Sequence, residues 1–441
     1  MKKTLLIIFA LLLSSHVLIF AQQKVWSLED CIKYAIENNI QIKQQVIQTE
    51  VQQNSLDLAK YQLLPNLNGL AQYSYSHNHA LNPTTYQFSN SLQSEYFYLG
   101  GSMPVFNGLQ YYNAIQKNKY QVLASKQDLQ DISDNVALNV ALAYLQILLN
   151  KELVAATENQ LNITLQQIEK TKKLVDAGSV AKGNLLQIEA QAAQEELSLI
   201  TQKNQLETSV LILTQLLELK TPAGFEVVVP EINVDPNAII SGNIDDIYAI
   251  AEKNRPEIKS SELKLKASEY NLKMAKGGRS PVLALNYSLN TRYTFNTPET
   301  FKTQIKTFRN EGIGLSLNIP ILNGWQVNKN ISNSKLNLES SNYALEGTQK
   351  QLYKNIQQAY TDAVAALKKF NVSIKAIAST EESFRYTEQK FNVGMVTPVD
   401  YNAAKTQLLK SQSDMAQAKY EFIFKTKVLD FYKGLPLNLN K

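Results

Sequence analysis

SMPVFNGLQYYNAI, residues 102–115, returns as NIPILNGWQVNKNI, residues 318–331. Both carry Pro-x-x-Asn-Gly-x-Gln, and Pro104 and Pro320 stand 216 positions apart. The same displacement lays Pro65 on Pro281, Asn107 and Gly108 on Asn323 and Gly324, and Gly178 on Gly394. It also lays Asn38 on Asn254, Ile42-Lys43 on Ile258-Lys259 and Leu213 on Leu429. The 441 residues hold only 12 prolines and 16 glycines, so gapless coincidence at four distant places marks a duplication. Proline and glycine also dictate turns, which means that the halves share a chain path as well as a composition. The chain therefore divides into a first repeat (22–219), a proline-punctuated linker with a short strand-like run (220–241) and a second repeat (242–441). The period far exceeds that of any solenoid, so each repeat is a whole structural unit.

On either side of the phrase the pattern changes period. Upstream, VLALNYSLNTRYTF (282–295) alternates Leu283, Leu285, Tyr287, Leu289, Tyr293 and Phe295 with Ala284, Asn286, Ser288, Asn290, Arg292 and Thr294. GIGLSLNIP (312–320) sets Ile313, Leu315, Leu317 and Ile319 against Gly312, Gly314, Ser316 and Asn318. These are strands with one apolar and one polar face. The first repeat is looser, with Ala71, Tyr73, Tyr75, Phe97, Leu99 and Met103 on one face. Each repeat thus predicts a long hairpin, 66–104 and 282–320, with polar loops near 78–92 and 297–309. Downstream, a helix of about 70 residues is predicted over 109–176, on the order of 100 Å at 1.5 Å per residue. Leu129, Ile132, Val136, Val140, Ala143, Ile147, Val154, Leu161, Leu165, Ile168 and Val175 recur in threes and fours, close to a coiled-coil seam. The repeated phrase is a corner: Pro104 or Pro320 ends a strand, Asn107-Gly108 or Asn323-Gly324 turns, and a long helix begins. Before each hairpin lies another helix. Ser27 is placed to cap the first, Asp30 to complete the cap and Pro65 to end it.

The totals exclude several function classes. With 44 basic and 39 acidic residues, all scattered, there is no basic face for nucleic acid. Cys31 alone forms no intramolecular disulfide, and with His16, His77 and His79 it supplies no zinc or iron–sulfur ligand set. His77-Asn-His79 falls at a predicted loop end, where histidines are usually inert. No phosphate loop and no His-x-x-x-His pair is present, so neither enzymatic chemistry nor a cofactor is expected. Lys2 and Lys3 precede the apolar run 5–21, and residues 1–21 read as a secretory signal. No later run reads as long and apolar enough for a membrane helix.

An exported chain with four alternating strands and no membrane helix raises the β-barrel. Strands of ten to thirteen residues cross a bilayer obliquely, and Tyr73, Tyr75, Tyr96, Tyr98, Tyr287 and Tyr293 read as aromatic girdles on the lipid face. Four strands close no barrel, and lipid tolerates no open edge. Two chains would give eight strands around a filled interior, and three would give twelve around a lumen suited to the polar faces. A soluble sheet covered by helices is the competing use of such strands.

The order of elements resembles the TolC-like outer-membrane efflux family. The resemblance is carried by LEDCIKYAIENNIQIK (28–43) with NIDDIYAIAEKNRPEIK (243–259), PVFNG (104–108) with PILNG (320–324), and DAGSVAKGN (176–184) with NVGMVTPVD (392–400). It implies a mainly α fold with β, in which a homotrimer joins a twelve-stranded barrel in outer-membrane lipid to a coiled-coil α-barrel extending into the periplasm. It further implies an exit duct served by an inner-membrane transporter through a periplasmic adaptor protein. Gly178, Ser179, Val180, Gly394, Met395 and Val396 would be the adaptor-contacting tips; as turn residues the glycines also read as helix C-caps. Asp400 matches the first acid of the family's periplasmic gate. Ala403 stands where some members carry a second acid, and Asn184 occupies the matching place in the first repeat. A carboxylate ring there would favour cations. The main alternative is a periplasmic coiled-coil scaffold without a barrel. A simple pore would have no use for such long helices.

Overall fold

The computed structural model describes residues 25–77, 80–89, 92–230, 232, 234–236, 238–240 and 242–438. The expected signal segment and His79 lie outside them. In chain order the first repeat forms β1 (Val25–Trp26), α1 (Leu28–Asn38), α2 (Ile40–Tyr61), β2 (Asn68–Ser76), β3 (Ala80–Leu81), β4 (Phe88–Ser89), β5 (Leu92–Phe106), α3 (Gln110–Asp176) and α4 (Lys182–Leu216). After β6 (Glu226–Val227) the second repeat forms α5 (Ile244–Asn254), α6 (Pro256–Gly277), β7 (Val282–Thr294), α7 (Phe301–Thr307), β8 (Asn310–Asn318), α8 (Gln326–Asn392) and α9 (Pro398–Tyr432). The bounds of α1, α2, α3 and α4 recur in α5, α6, α8 and α9 at the 216-residue displacement.

Ser27 caps α1 as expected. Its hydroxyl accepts from Asp30 N at 3.1 Å, and Asp30 reaches back to the Ser27 amide. The single helix predicted to run on toward Pro65 is instead two helices broken at Asn39. That residue leaves helical geometry (ψ 132°), and its side-chain oxygen accepts from Gln41 N at 2.9 Å, capping α2. Its counterpart Arg255 breaks the second repeat at the same place, where Pro256 forbids helical backbone before it and starts α6. The two repeats reach one kink by different chemistry.

The chain divides into two compact units. The first comprises Met1–Gln44, Gln130–Arg255 and Gln351–Lys441, and its regular structure among the described residues is helical apart from the parallel pair β1–β6. Tyr144 fastens that pair, donating to Val228 O at 2.6 Å, and Trp26 packs edge-on against Tyr34. Burial pushes the Tyr144 phenol far above its usual range. Val140, Ile147, Leu213, Ile247, Ile356 and Leu429 are almost wholly buried. Arg255 is buried too, paired with Asp131 at 3.2 Å and lying over the Phe431 ring. Against expectation, α3 contains a window long and apolar enough by composition to cross a membrane. Much of its apolar content is this core. The predicted seam holds at Val136, Val140 and Ile147 but fails further along: Leu165 is exposed, and Gln160, Thr164 and Thr171 are buried in its place.

The second unit, Gln45–Leu129 with Pro256–Lys350, carries a four-stranded antiparallel sheet in the order β2-β5-β7-β8. Its helices meet through Tyr120 stacked on Tyr270 at 5.4 Å and Asp128 bound to Ser260 and Lys264. The two segments expected as plain loops contain structure: β3 pairs with β4 within 78–92, and α7, capped by Thr300, occupies 301–307.

Candidate functional site

Register sorts the side chains of the sheet into two faces. Tyr73, Glu95 and Tyr293 share one row, and Gly101, Tyr287 and Ile313 share another. Ala71, Phe97, Leu99, Met103, Leu283, Leu285, Leu315 and Leu317 complete that face, as the alternation predicts. Ile313, Leu315 and Leu317 are largely exposed, and with Leu99, Met103 and Tyr287 they form a contiguous apolar surface such as soluble proteins rarely show. The opposite face carries Asn68, Ser102, Asn286, Ser288, Asn290, Ser316 and Asn318, with Asn286 donating to Ser316 Oγ at 2.8 Å. Two of the expected girdle tyrosines are misplaced. Tyr96 and Tyr98 pair with Arg292 and Asn290 and so belong to the polar face. Tyr98 folds over Gly100, where any Cβ would collide with its ring.

Arg292 also departs from expectation. It is not a free side chain of the polar face: it donates to Pro83 O at 3.1 Å and lies over the Phe308 ring. On the apolar face α7 packs across the sheet's far end, with Phe301 against Phe97 and Tyr293. Buried Gln304 bonds to both the N–H and the carbonyl of Thr294.

Both corners are tight turns. Gly108 and Leu109 hold φ of 66° and 62°, Gly324 and Trp325 58° and 63°. Pro104, however, does not end its strand. It pairs with Ala284, and β5 continues through an irregularity to Phe106. Pro320 behaves as predicted, because β8 has stopped at Asn318. The difference lies in the neighbours: β5 has β7 beside it there, whereas β8 has no further strand among the described residues.

In the helical unit, the turns at Gly178 and Gly394 are one structure made twice. Gly178 N donates to Val175 O and Ser179 N to Leu174 O; Gly394 N donates to Phe391 O and Met395 N to Lys390 O. With φ of 71° and 78°, each glycine is the left-handed cap of a Schellman motif. Gly178, Ser179, Gly394 and Met395 are exposed, while Val180 and Val396 are half-buried. Beside the second turn, Lys170 donates to Asn392 Oδ1 at 2.9 Å.

Asp400 is exposed and stands third in α9. Thr397 caps that helix, accepting from Asp400 N at 3.2 Å and donating to its carboxylate at 2.7 Å. Asn184 stands at the same step of α4, half-buried, behind Ala181, which offers no side-chain cap.

The sequence reading missed a charged knot deeper in the unit. Lys405 is 2% exposed and Glu195 5%. Lys405 Nζ donates to Gln160 O at 3.0 Å and to Thr164 Oγ1, and lies 3.7 Å from Glu195. Glu195 in turn accepts from Thr164, Gln160 and Gln191. Burial lowers the Lys405 pKa, and the Glu195 charge opposes that shift. The signal was present: Glu195 interrupts Ile188, Ala192 and Leu199, and Lys405 follows buried Tyr401 by one turn. Phe391 stacks on Tyr401 at 4.4 Å, and burial pushes the Tyr401 phenol up to about 12.

The family described as outer membrane efflux protein matches residues 31–218 and 247–424. Outer membrane protein TolC of Escherichia coli (strain K12) is 22% identical over 437 residues, covering 96% of this chain and 84% of its own. Outer membrane efflux protein BepC of Brucella suis biovar 1 (strain 1330) is 21% identical over 423 residues, with 95% and 87% covered. The CmeC outer membrane channel of Campylobacter jejuni superposes with a TM-score of 0.79 at 19% identity, over 92% of this chain and 85% of that one, so the fold is shared. Matched through both repeats, and carrying a sheet with one face fit for lipid, the chain belongs to the outer membrane efflux protein family and resides in the outer membrane.

Proposed function

We propose that three copies of this outer-membrane efflux protein form the exit duct of a tripartite export system. The observation that carries the reading is the sheet itself: among the described residues β2 and β8 have open edges, and one face is apolar and exposed. In lipid, each unpaired edge group costs several kcal/mol, so the edges must pair with other copies. Three copies give twelve strands and a lumen, and the face bearing Asn286, Ser288, Ser316 and Asn318 suits its wet interior. The corners at Pro104, Asn107 and Gly108 and at Pro320, Asn323 and Gly324 lead from these strands into helices that form a coiled-coil α-barrel in the periplasm.

At the far ends of those helices, Gly178–Val180 and Gly394–Val396 meet a periplasmic adaptor, through which an inner-membrane transporter delivers cargo. The exposed Val393 and Met395 give that contact an apolar component. Three copies of Asp400 line the narrow end, and the bond to Thr397 fixes each carboxylate's orientation. The scaffold alternative finds no support among the relatives.

Extraction from outer membranes followed by unheated gel electrophoresis tests the assembly, with a species of three chains expected. A mature chain that stays in solution as a single subunit without detergent would overturn it. Cross-linking from Met395→Cys, with mass spectrometry of the trapped product, tests the tip; the expected product is a periplasmic adaptor.

A further inference from the structure

The sheet displays how a first repeat meets a second inside one chain, and the duplication converts that display into a register between chains. β5 belongs to the first repeat and β7 to the second. They pair Phe97 with Thr291, Leu99 with Leu289, Gly100 with Ser288, Gly101 with Tyr287 and Ser102 with Asn286. Moving each of these five β5 residues forward by 216 lands in β8, and moving each of these five β7 residues back by 216 lands in β2. We infer that β8 of one copy pairs antiparallel with β2 of the next in this register: Ile313 opposite Tyr75, Leu315 opposite Tyr73, Ser316 opposite Gln72, Leu317 opposite Ala71 and Asn318 opposite Leu70. The inference rests on the ring proposed above and assigns the seam by which that ring closes.

Two observations support this pairing, the first of which excludes slips of one residue. Faces match across it: Ile313, Leu315 and Leu317 join Tyr75, Tyr73 and Ala71 on the apolar side, while Ser316 joins Gln72 on the polar side. A slip of one residue would throw every apolar side chain into the lumen. Strand lengths differ as a missing partner for β8 would have it. β5 runs 15 residues through Pro104, whereas its counterpart β8 runs 9 and stops before Pro320. β5 has a neighbour on that side and β8 awaits one. At the corner the displacement loses its force. Gly277, whose missing Cβ admits Gly108 O, has Tyr61 as its counterpart, so the pairing is assigned from Ile313 to Asn318 and no further.

Slips of two residues preserve the faces, so the test must separate them. Full-length protein in native outer membranes is given the pairs Leu317→Cys with Ala71→Cys, and Ser316→Cys with Gln72→Cys, then oxidised and run heated without reductant. Both pairs should join copies into covalent dimers and trimers. The single-cysteine variants should not, since native Cys31 is buried. Leu317→Cys with Tyr73→Cys, and Leu315→Cys with Ala71→Cys, place the thiols on a diagonal of about 7–8 Å and should stay unlinked. Efficient linking by either diagonal pair, with none by the direct pairs, overturns the register. So does an unheated trimer in which neither direct pair links, and both results leave the trimer standing. A monomer on the unheated gel removes the ring and the register together.

Discussion

Five described non-glycine residues hold positive φ in turns, and three of them stand at helix ends. Leu109, Trp325 and Glu218 hold φ of 62°, 63° and 57°, a conformation worth about 1–2 kcal/mol of strain for an L-residue. Glu218 invites a direct comparison. It ends α4 as Gly434 ends α9, with the same pair of hydrogen bonds to the last helical turn. Glu218→Gly should therefore raise stability, by roughly 0.5–1 kcal/mol after the added freedom of the unfolded chain is subtracted. A thermal melt of the purified protein would check it, and a lower midpoint would mean that the 3.4 Å contact from Ile40 N to the Glu218 carboxylate outweighs the strain. Tyr401 offers a second measurement. Its folded pKa is raised to about 12, so its contribution is complete below pH 10 and is lost as pH climbs toward 12. Tyr401→Phe should flatten the alkaline loss of stability by on the order of 2 kcal/mol, and an unchanged profile would contradict the burial argument. Turn glycines were legible because at Gly108, Gly178, Gly324 and Gly394 backbone geometry and residue type agree. Leu109, Trp325 and Glu218 were not, because nothing in a leucine, tryptophan or glutamate announces positive φ.

At the scale of the helix, the seam of α3 shows where sequence pattern stops being a guide. Around Val136, Val140 and Ile147 the buried stripe is apolar and the spacing finds it. Nearer the turn the buried residues include Gln160 and Thr164, each one step from the predicted Leu161 and Leu165. One residue is about 100° of rotation, so choosing leucine over its polar neighbour picks the wrong face. The choice goes astray because polar groups can be buried wherever partners arrive from other helices, and those partners are Glu195 and Lys405, remote in sequence. Removing one charge should show this. Glu195→Ala strands the Lys405 ammonium in the core and should cost about 3–5 kcal/mol. Glu195→Leu combined with Lys405→Met removes both charges and should recover most of that loss. A double variant no better than the single would mean that the hydrogen bonds to Gln160 and Thr164, and not the charge balance, hold the three helices together.

For the molecule as a whole, the decisive feature is legible in the sequence: four strands with one apolar face, and too few of them to close. The β2-β5-β7-β8 order and its register agree with that reading down to the rows containing Leu283, Leu285, Leu315 and Leu317. Tyr96 and Tyr98 went astray because aromatic residues suit either side of a sheet, and only pairing with Arg292 and Asn290 decides the side. In the proposed barrel, lipid and lumen would impose opposite demands on neighbouring residues of one strand, and β8 puts them to the test in alternation. Lysine at Leu315 or Leu317 sets a charge on the bilayer face and should cost about 2–4 kcal/mol near the midplane. Lysine at Ser316 or Asn318, one residue away, would face the proposed barrel's wet lumen and should cost little while altering ion selectivity. The measurement is the yield of heat-modifiable oligomer in outer membranes for the four variants. Loss confined to Leu315→Lys and Leu317→Lys would place the apolar face in lipid. Equal tolerance at all four positions would mean that protein covers that face and that no barrel forms.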